Sequence, residues 1–219
     1  MGTVKHLARC LEHDLAVLLP ALYKSPREKL ARMAACLIET RSCNTLELAA
    51  RLPIETDRVE SRYAWIERFL SAETIDDMGV MEAMTRRLLA TLSAQGQTLI
   101  VSIDQTSLDA GGAIAMMSAR VGERARPLFW SVKNRPGNMP VKDDLPLLRR
   151  LKSSMPEGAS VMLLADRFFG AAELIEACQR HGFRYRIRLK GNLSLLHQGG
   201  ELSVDDLPRL GLKGVVDAD

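Results

Sequence analysis

Two apolar runs in this chain each stop on an aspartate: Leu99-Ile100-Val101-Ser102-Ile103-Asp104 and Val161-Met162-Leu163-Leu164-Ala165-Asp166. A run that is apolar at nearly every position reads as a strand covered on both faces, in the middle of a sheet packed between helices. An acid at the end of such a strand stands where the core opens to solvent. Two of them can share a divalent ion, because carboxylate oxygens are the hard ligands that Mg²⁺ takes, and a site with few protein carboxylates leaves positions open for phosphate and water. That arrangement suits phosphodiester chemistry. Taken singly, each aspartate also reads as a turn former or as the N-cap of the next segment. The repetition favours the metal pair.

A second chemical signal lies in Phe183-Arg184-Tyr185-Arg186-Ile187-Arg188-Leu189-Lys190. Alternation with period two puts Phe183, Tyr185, Ile187 and Leu189 on one side of a strand and Arg184, Arg186, Arg188 and Lys190 on the other. Four cations in a row either protect an edge strand from aggregation or grip phosphate, for which the guanidinium fork is suited. The net charge of +3 hides an uneven distribution. Residues 73–119 carry two basic and six acidic side chains, 120–152 nine basic and three acidic, and 167–190 six basic and two acidic. Clustered Lys and Arg favour a polyanion through phosphate contacts and counterion release, or form a solvated basic face.

The elements that position these residues emerge from periodicity. Helices are expected over about 4–19 (Leu7, Leu11, Leu15, Leu18), from a Ser25-Pro26-Arg27-Glu28 capping box to about Thr40, and over about 76–94 (Met81, Met84, Leu88, Leu92). Between them, Asn44-Thr45-Leu46-Glu47 caps a short helix to Leu52, Pro53 ends it, and another begins near Thr56. Two short helices across a turn make either a helix-turn-helix, whose second helix enters the major groove, or part of a plain bundle. In the first case Val59, Tyr63, Ile66 and Leu70 face inward, and Arg58, Ser61, Arg62 and Arg68 meet DNA. Farther on, the Asp104 strand is followed by strands at 113–120 and 126–132, a helix at 143–152 with Asp143 and Asp144 at its positive end and Leu145, Leu148 and Leu151 inward, the Asp166 strand, a helix at 171–181 closed by Gly182, and the arginine-rich strand.

The 219 residues, 47% of them hydrophobic, suffice for a full core in one large or two small domains. No apolar stretch approaches the roughly 20 residues needed to span a bilayer, and His6, Arg9, Glu12, His13 and Asp14 interrupt any signal-peptide core. A cytoplasmic location is expected. Cys10, Cys36, Cys43 and Cys178 have no metal or disulfide spacing and read as buried small apolar residues. No nucleophile motif accompanies the four histidines and no Gly-rich phosphate loop is present, which argues against hydrolase-triad and ATP-dependent chemistry.

Three strands with an acid on the first, a helix, a strand ending in an acid, a helix and a fifth strand is the order of the ribonuclease H-like fold. Here the chain resembles the bacterial insertion-sequence transposases of the DDE type, most like the group of insertion sequence four. The resemblance rests on Ile103-Asp104-Gln105-Thr106, Pro127-Leu128-Phe129-Trp130, Leu163-Leu164-Ala165-Asp166-Arg167 and Tyr185-Arg186-Ile187-Arg188-Leu189-Lys190. Asn44 to Ala50, Ser61-Arg62-Tyr63 and Arg68-Phe69-Leu70 look like that family's DNA-binding part.

The resemblance implies a helical DNA-binding domain over 1–95, a partial ribonuclease H-like core over 96–192, and an incomplete insertion or tail over 193–219. It makes Asp104 and Asp166 catalytic ligands of Mg²⁺ or Mn²⁺, with Arg58, Ser61, Arg62, Arg167, Arg186, Arg188 and Lys190 on DNA. The partner is double-stranded DNA at terminal inverted repeats, bound by a homodimer at the nucleoid. Phe168 departs from the glycine that family members often carry after Asp-Arg. The family's third acid, a glutamate on a late helix, has no match after Lys190. The sequence therefore reads as a truncated transposase whose own catalysis is in question, with an inactive DNA-binding descendant as the alternative.

Overall fold

The computed structural model describes residues 2–109, 111–134, 139–197 and 200–210. Two compact units divide the chain, Met1–Met84 and Thr85–Asp219, with the border inside a helix. The first unit is helical: α1 (Gly2–Leu18), α2 (Lys24–Thr40), α3 (Thr45–Arg51), α4 (Val59–Ser71) and the start of α5 (Asp77–Ser93). Val4, Ala8, Met33, Ala35, Cys36, Leu48, Ala49, Leu52 and Ile66 form its core. Small residues on α2 and α3 let the helices approach closely, and Tyr63, Trp65 and Phe69 close the edge.

Local chemistry explains where these helices start and stop. Asn44 caps α3, its side chain accepting from the N–H groups of Leu46 and Glu47. The expected capping box at Ser25 does not form. Instead α2 starts at Lys24 after an extended Tyr23, which leaves Pro26 inside the first turn, where its missing N–H costs nothing. Arg41 ends α2 in the left-handed conformation, φ 52°, donating its N–H to the Leu37 carbonyl. On α4 the inward face also differs from expectation. Ile66 and Arg62 are buried, whereas Val59 and Leu70 are exposed. On α5 the buried positions are Thr85 and Leu89, with Met84 exposed.

The second unit is α/β. A five-stranded mixed sheet has the order β3-β2-β1-β4-β5, from β1 (Leu99–Leu108), β2 (Gly112–Val121), β3 (Arg124–Lys133), β4 (Val161–Ala165) and β5 (Arg184–Ile187). The first three strands pair antiparallel, and β1, β4 and β5 run parallel. The β2–β3 turn is only Gly122-Glu123, with Gly122 at φ 61° as the first position of a type II′ hairpin requires. Helix α6 (Val141–Ser154) packs on β3 and on α7 (Ala172–His181), which packs on β5. Gly182 closes α7 in the left-handed conformation, and the Gly182 and Phe183 N–H groups both reach the Cys178 carbonyl.

Alternation along the strands separates two faces. Leu99, Val101, Ile103, Val161 and Leu163 are buried on one, and Ala115 and Met117 share it by register. Ser131 pairs with Ala115 and donates to Asp144 of α6, so this is the face that α6 and α7 cover. Ile100, Ser102, Met162 and Leu164, on the opposite face, are half-buried. Along α6 the buried stripe runs Asp144, Leu147, Leu148, Leu151 and Ser154. Asp144 therefore joins the core rather than serving only the helix terminus.

A small hairpin that the sequence pattern did not lead us to expect, β6 (Ser194–His197) with β7 (Gly200–Ser203), lies within the 193–219 segment. The end of the expected insertion or tail, 211–219, lies outside the described residues. Cys36 and Cys178 are buried, and desolvation pushes their thiols up to about 11 and about 12. Cys10 and Cys43, expected to be buried, are exposed instead.

Candidate functional site

The parallel ladder between β1 and β4 ends at the pair Ile103↔Ala165, and that between β4 and β5 at Ala165↔Ile187. The next residue on each strand line is Asp104, Asp166 and Arg188. All three are exposed, one residue past the last pair of each parallel ladder. Since Ile103 faces α6 and α7, alternation turns Asp104 to the opposite face, together with Met162, Leu164 and Arg186. The two expected metal ligands thus each directly follow the last pair of the β1–β4 ladder, Ile103↔Ala165.

Local geometry fixes each acid. β1 does not stop at Asp104 as its apolar pattern suggests. It continues to Leu108 on the antiparallel partner β2, where Asp104 pairs with Met116, so Asp104 sits on a continuous strand. Asp104 Oδ1 accepts from the Gln105 N–H at 2.9 Å, and Gln105 Oε1 in turn accepts the Met139 N–H at 3.1 Å. Asp166 caps the 3₁₀ turn Arg167–Phe169, its Oδ1 accepting from Phe168 N–H at 2.9 Å. Capping and ligation are compatible, because a carboxylate has lone pairs beyond the one a cap uses.

The loop after Asp166 is held against β5 by close backbone approach. The Arg188 N–H donates to the Ala165 carbonyl at 3.2 Å. A Cβ built on Gly170 would fall 2.8 Å from the Arg188 carbonyl oxygen, so only glycine fits this crossing. The fifth strand alternates as expected, with Arg184, Arg186, Arg188 and Lys190 exposed and Phe183 buried, although β5 itself covers only Arg184–Ile187. The row is not uniform in role. Arg184 Nη2 donates to Thr98 Oγ1 (2.6 Å) and Ser160 Oγ (3.0 Å), fastening the starts of three strands. Arg186 and Arg188 stand toward the acids, Arg167 is exposed on the 3₁₀ turn, and Lys190 lies beyond the strand.

The two carboxylates fit a hard divalent ion by donor type, as oxygen ligands. Among the described residues, no three His, Cys, Asp or Glu side chains gather into a metal-holding group. Asp205, farther along, instead donates its N–H to the Gly191 carbonyl at 3.0 Å.

In the helical unit the expected contact residues separate. Arg58 precedes α4 as its N-cap residue and is exposed, as is Ser61 in the first turn. Arg62, expected to face DNA, is 5% exposed. Its Nε donates to the Thr56 carbonyl (2.8 Å) and its Nη1 to the Ala50 carbonyl (3.2 Å). The reason lies in the α3–α4 connection, which runs over 52–58 and is longer than the three or four residues of a tight helix-turn-helix turn. Carbonyls at the end of α3 and in this connection need donors, and the guanidinium supplies them where helix polarity favours a cation.

The buried Asp144 is a further polar feature, one whose sequence position ties it only to the helix dipole. It is fully buried, accepting from Ser131 Oγ at 2.7 Å. Burial raises its pKa above the usual carboxylate range, opposed by the Ser131 hydrogen bond and assisted by the Asp143 charge. No described helix is long and apolar enough to cross a membrane. Neither the family models nor the curated proteins with which the sequence was compared give a match.

Proposed function

We propose that the chain acts on DNA in the manner of an insertion-sequence DDE transposase, its sheet unit a ribonuclease H-like platform for phosphodiester chemistry and its helical unit a reader of transposon ends. The observation that carries this reading is the position of Asp104 and Asp166 directly after the last β1–β4 pair, Ile103↔Ala165, with Arg188 next after Ile187. Asp104 and Asp166 would hold Mg²⁺ or Mn²⁺, which when bound supplies Lewis-acid activation of the attacking and leaving oxygens. Arg186, Arg188, Lys190 and Arg167 would bind and orient the phosphates, offsetting the negative charge that two carboxylates present to DNA. Arg58 and Ser61 would engage the duplex from the N-terminal end of α4, Arg58 as its N-cap residue and Ser61 in its first turn.

The test is a gel assay for Mn²⁺- or Mg²⁺-dependent nicking of a plasmid carrying the inverted repeats that flank the coding sequence. Mn²⁺ binding is followed in parallel by electron paramagnetic resonance. Expected are nicking and Mn²⁺ binding that both disappear in Asp104→Ala and Asp166→Ala. Mn²⁺ binding unaffected by either substitution would overturn the metal-site reading.

A second reading, a DNA-binding protein without catalysis, is favoured by the finding that no third ligand-type side chain joins the pair among the described residues. Positioning for in-line attack draws on further ligands, and a misplaced ion forfeits transition-state stabilisation. Duplex binding with aspartate-dependent Mn²⁺ binding but no nicking is the outcome this reading expects.

A further inference from the structure

The helical unit contains a feature that duplex recognition by Arg58 and Ser61 leaves unused. Trp65 and Phe69, one turn apart on α4, lie with ring centroids 5.5 Å apart and planes within 6° of parallel. They line a cleft of about 150 Å³ with Lys29 of α2, Arg68, Ala72 and Thr74. Both rings are half-buried, packing on the core from one side. Arg68 is exposed, with its Nε anchored on the Ala64 carbonyl at 3.1 Å.

Each property of the cleft selects among ligands. A volume of about 150 Å³ matches one six-membered ring, since a benzene-sized guest occupies a cavity of that size. The mutually stacked rings present one aromatic wall, which favours a flat guest laid against it, because offset stacking is the favoured contact between π-systems. Two cations at the rim select negative charge near that guest. A flat single ring beside an anion describes a pyrimidine nucleotide. Inside a duplex the bases are stacked on each other and closed to such a cleft, so the guest must be unpaired.

We infer that this cleft receives one unpaired pyrimidine base of a DNA strand, stacked against the Trp65–Phe69 pair, with its phosphate between Lys29 and Arg68. The inference rests on the reading of the helical unit as a DNA-binding body and adds single-strand recognition to it. Unpaired bases at an opened end are the substrate class that would need such a site.

The test uses the full chain carrying Trp130→Phe, which leaves Trp65 as the sole tryptophan of two. Its emission is titrated with oligothymidylate, with a strand of equal length lacking bases, and with a matched duplex. Saturable quenching by oligothymidylate is expected, with binding about 10-fold weaker for the abasic strand, as the loss of a stacked base implies. Lys29→Gln and Phe69→Leu should each weaken the quenching interaction several-fold. Equal affinity for the abasic strand, or no quenching, overturns the proposal without relying on either variant folding. Emission that changes with protein concentration alone, together with a doubled mass in sedimentation, would mean that a second copy fills the cleft, and also overturns it. Anisotropy of a labelled inverted-repeat duplex in the same samples separates the two readings: duplex binding retained without base-dependent quenching removes only the cleft.

Discussion

Two arginines one helical turn apart, Arg58 and Arg62, carry the same charge to opposite ends. Arg58 stays in solvent, and Arg58→Ala should weaken duplex binding while reducing the salt slope by about 0.9 for a lost phosphate contact, read by anisotropy across a salt series. Arg62→Ala should instead lower stability by about 2 kcal/mol in urea unfolding, because the Ala50 and Thr56 carbonyls lose their buried donor. Sequence spacing put Arg62 on the outer face. The connection that draws it inward was not legible, because nothing local states that Pro53 would be followed by five more irregular residues. Asp144 is the other residue with a hidden role. Its pKa is raised on folding, so its contribution to stability is fully present below the unfolded value near 3.9 and is lost as pH rises through the higher folded value. Asp144→Asn keeps an acceptor for Ser131 and removes that loss. The variant should melt higher than the parent at neutral pH and converge with it in acid, as followed by circular dichroism.

At the scale of elements, some chemistry confined to a few neighbours was readable, though the Ser25 capping box did not form, and chemistry between strands was not. Asn44 as a cap and Gly182 as a helix stop each depend on one side chain or its absence, and both stand where expected. Helix α2 ends on Arg41 at φ 52°, where glycine is the usual residue. Arg41→Gly should therefore raise stability by about 0.5–1 kcal/mol, relieving the left-handed penalty against added backbone entropy. The continuation of β1 to Leu108 was hidden, since Gln105-Thr106-Ser107 breaks the apolar pattern and only pairing with β2 keeps it extended. The β6–β7 pair had a signal in the sequence, two glycines between Leu195-Leu196 and Leu202, since glycine between apolar residues favours a hairpin. Gly170 likewise gives no sequence cue to its crossing of Arg188. Gly170→Ala should destabilise by about 1–3 kcal/mol through overpacking. It should also weaken Mn²⁺ binding, because Asp166 and Arg188 are set by the two segments that the new methyl pushes apart.

For the whole molecule, two adjacent parallel strands were legible from the two apolar runs, and the helical first part from its capping signals and periodicity. The border was not, since the second half of α5 belongs with the sheet through Thr85, whose hydroxyl donates to the Leu128 carbonyl at 3.3 Å. Basic residues are concentrated along the sequence in 120–152 and 167–190. Duplex affinity should accordingly fall steeply with salt, and neutralising Arg186 and Arg188 together should flatten the slope by about 1.8 if both touch phosphate. The carboxyl sealed between α6 and β3 has a thermal signature as well. Between its ordinary and its raised pKa the folded chain holds a proton that the unfolded chain releases, so unfolding there deposits a proton in the buffer. The calorimetric heat of unfolding should then differ between buffers of unlike ionisation enthalpy at the same pH, and that difference should shrink in Asp144→Asn.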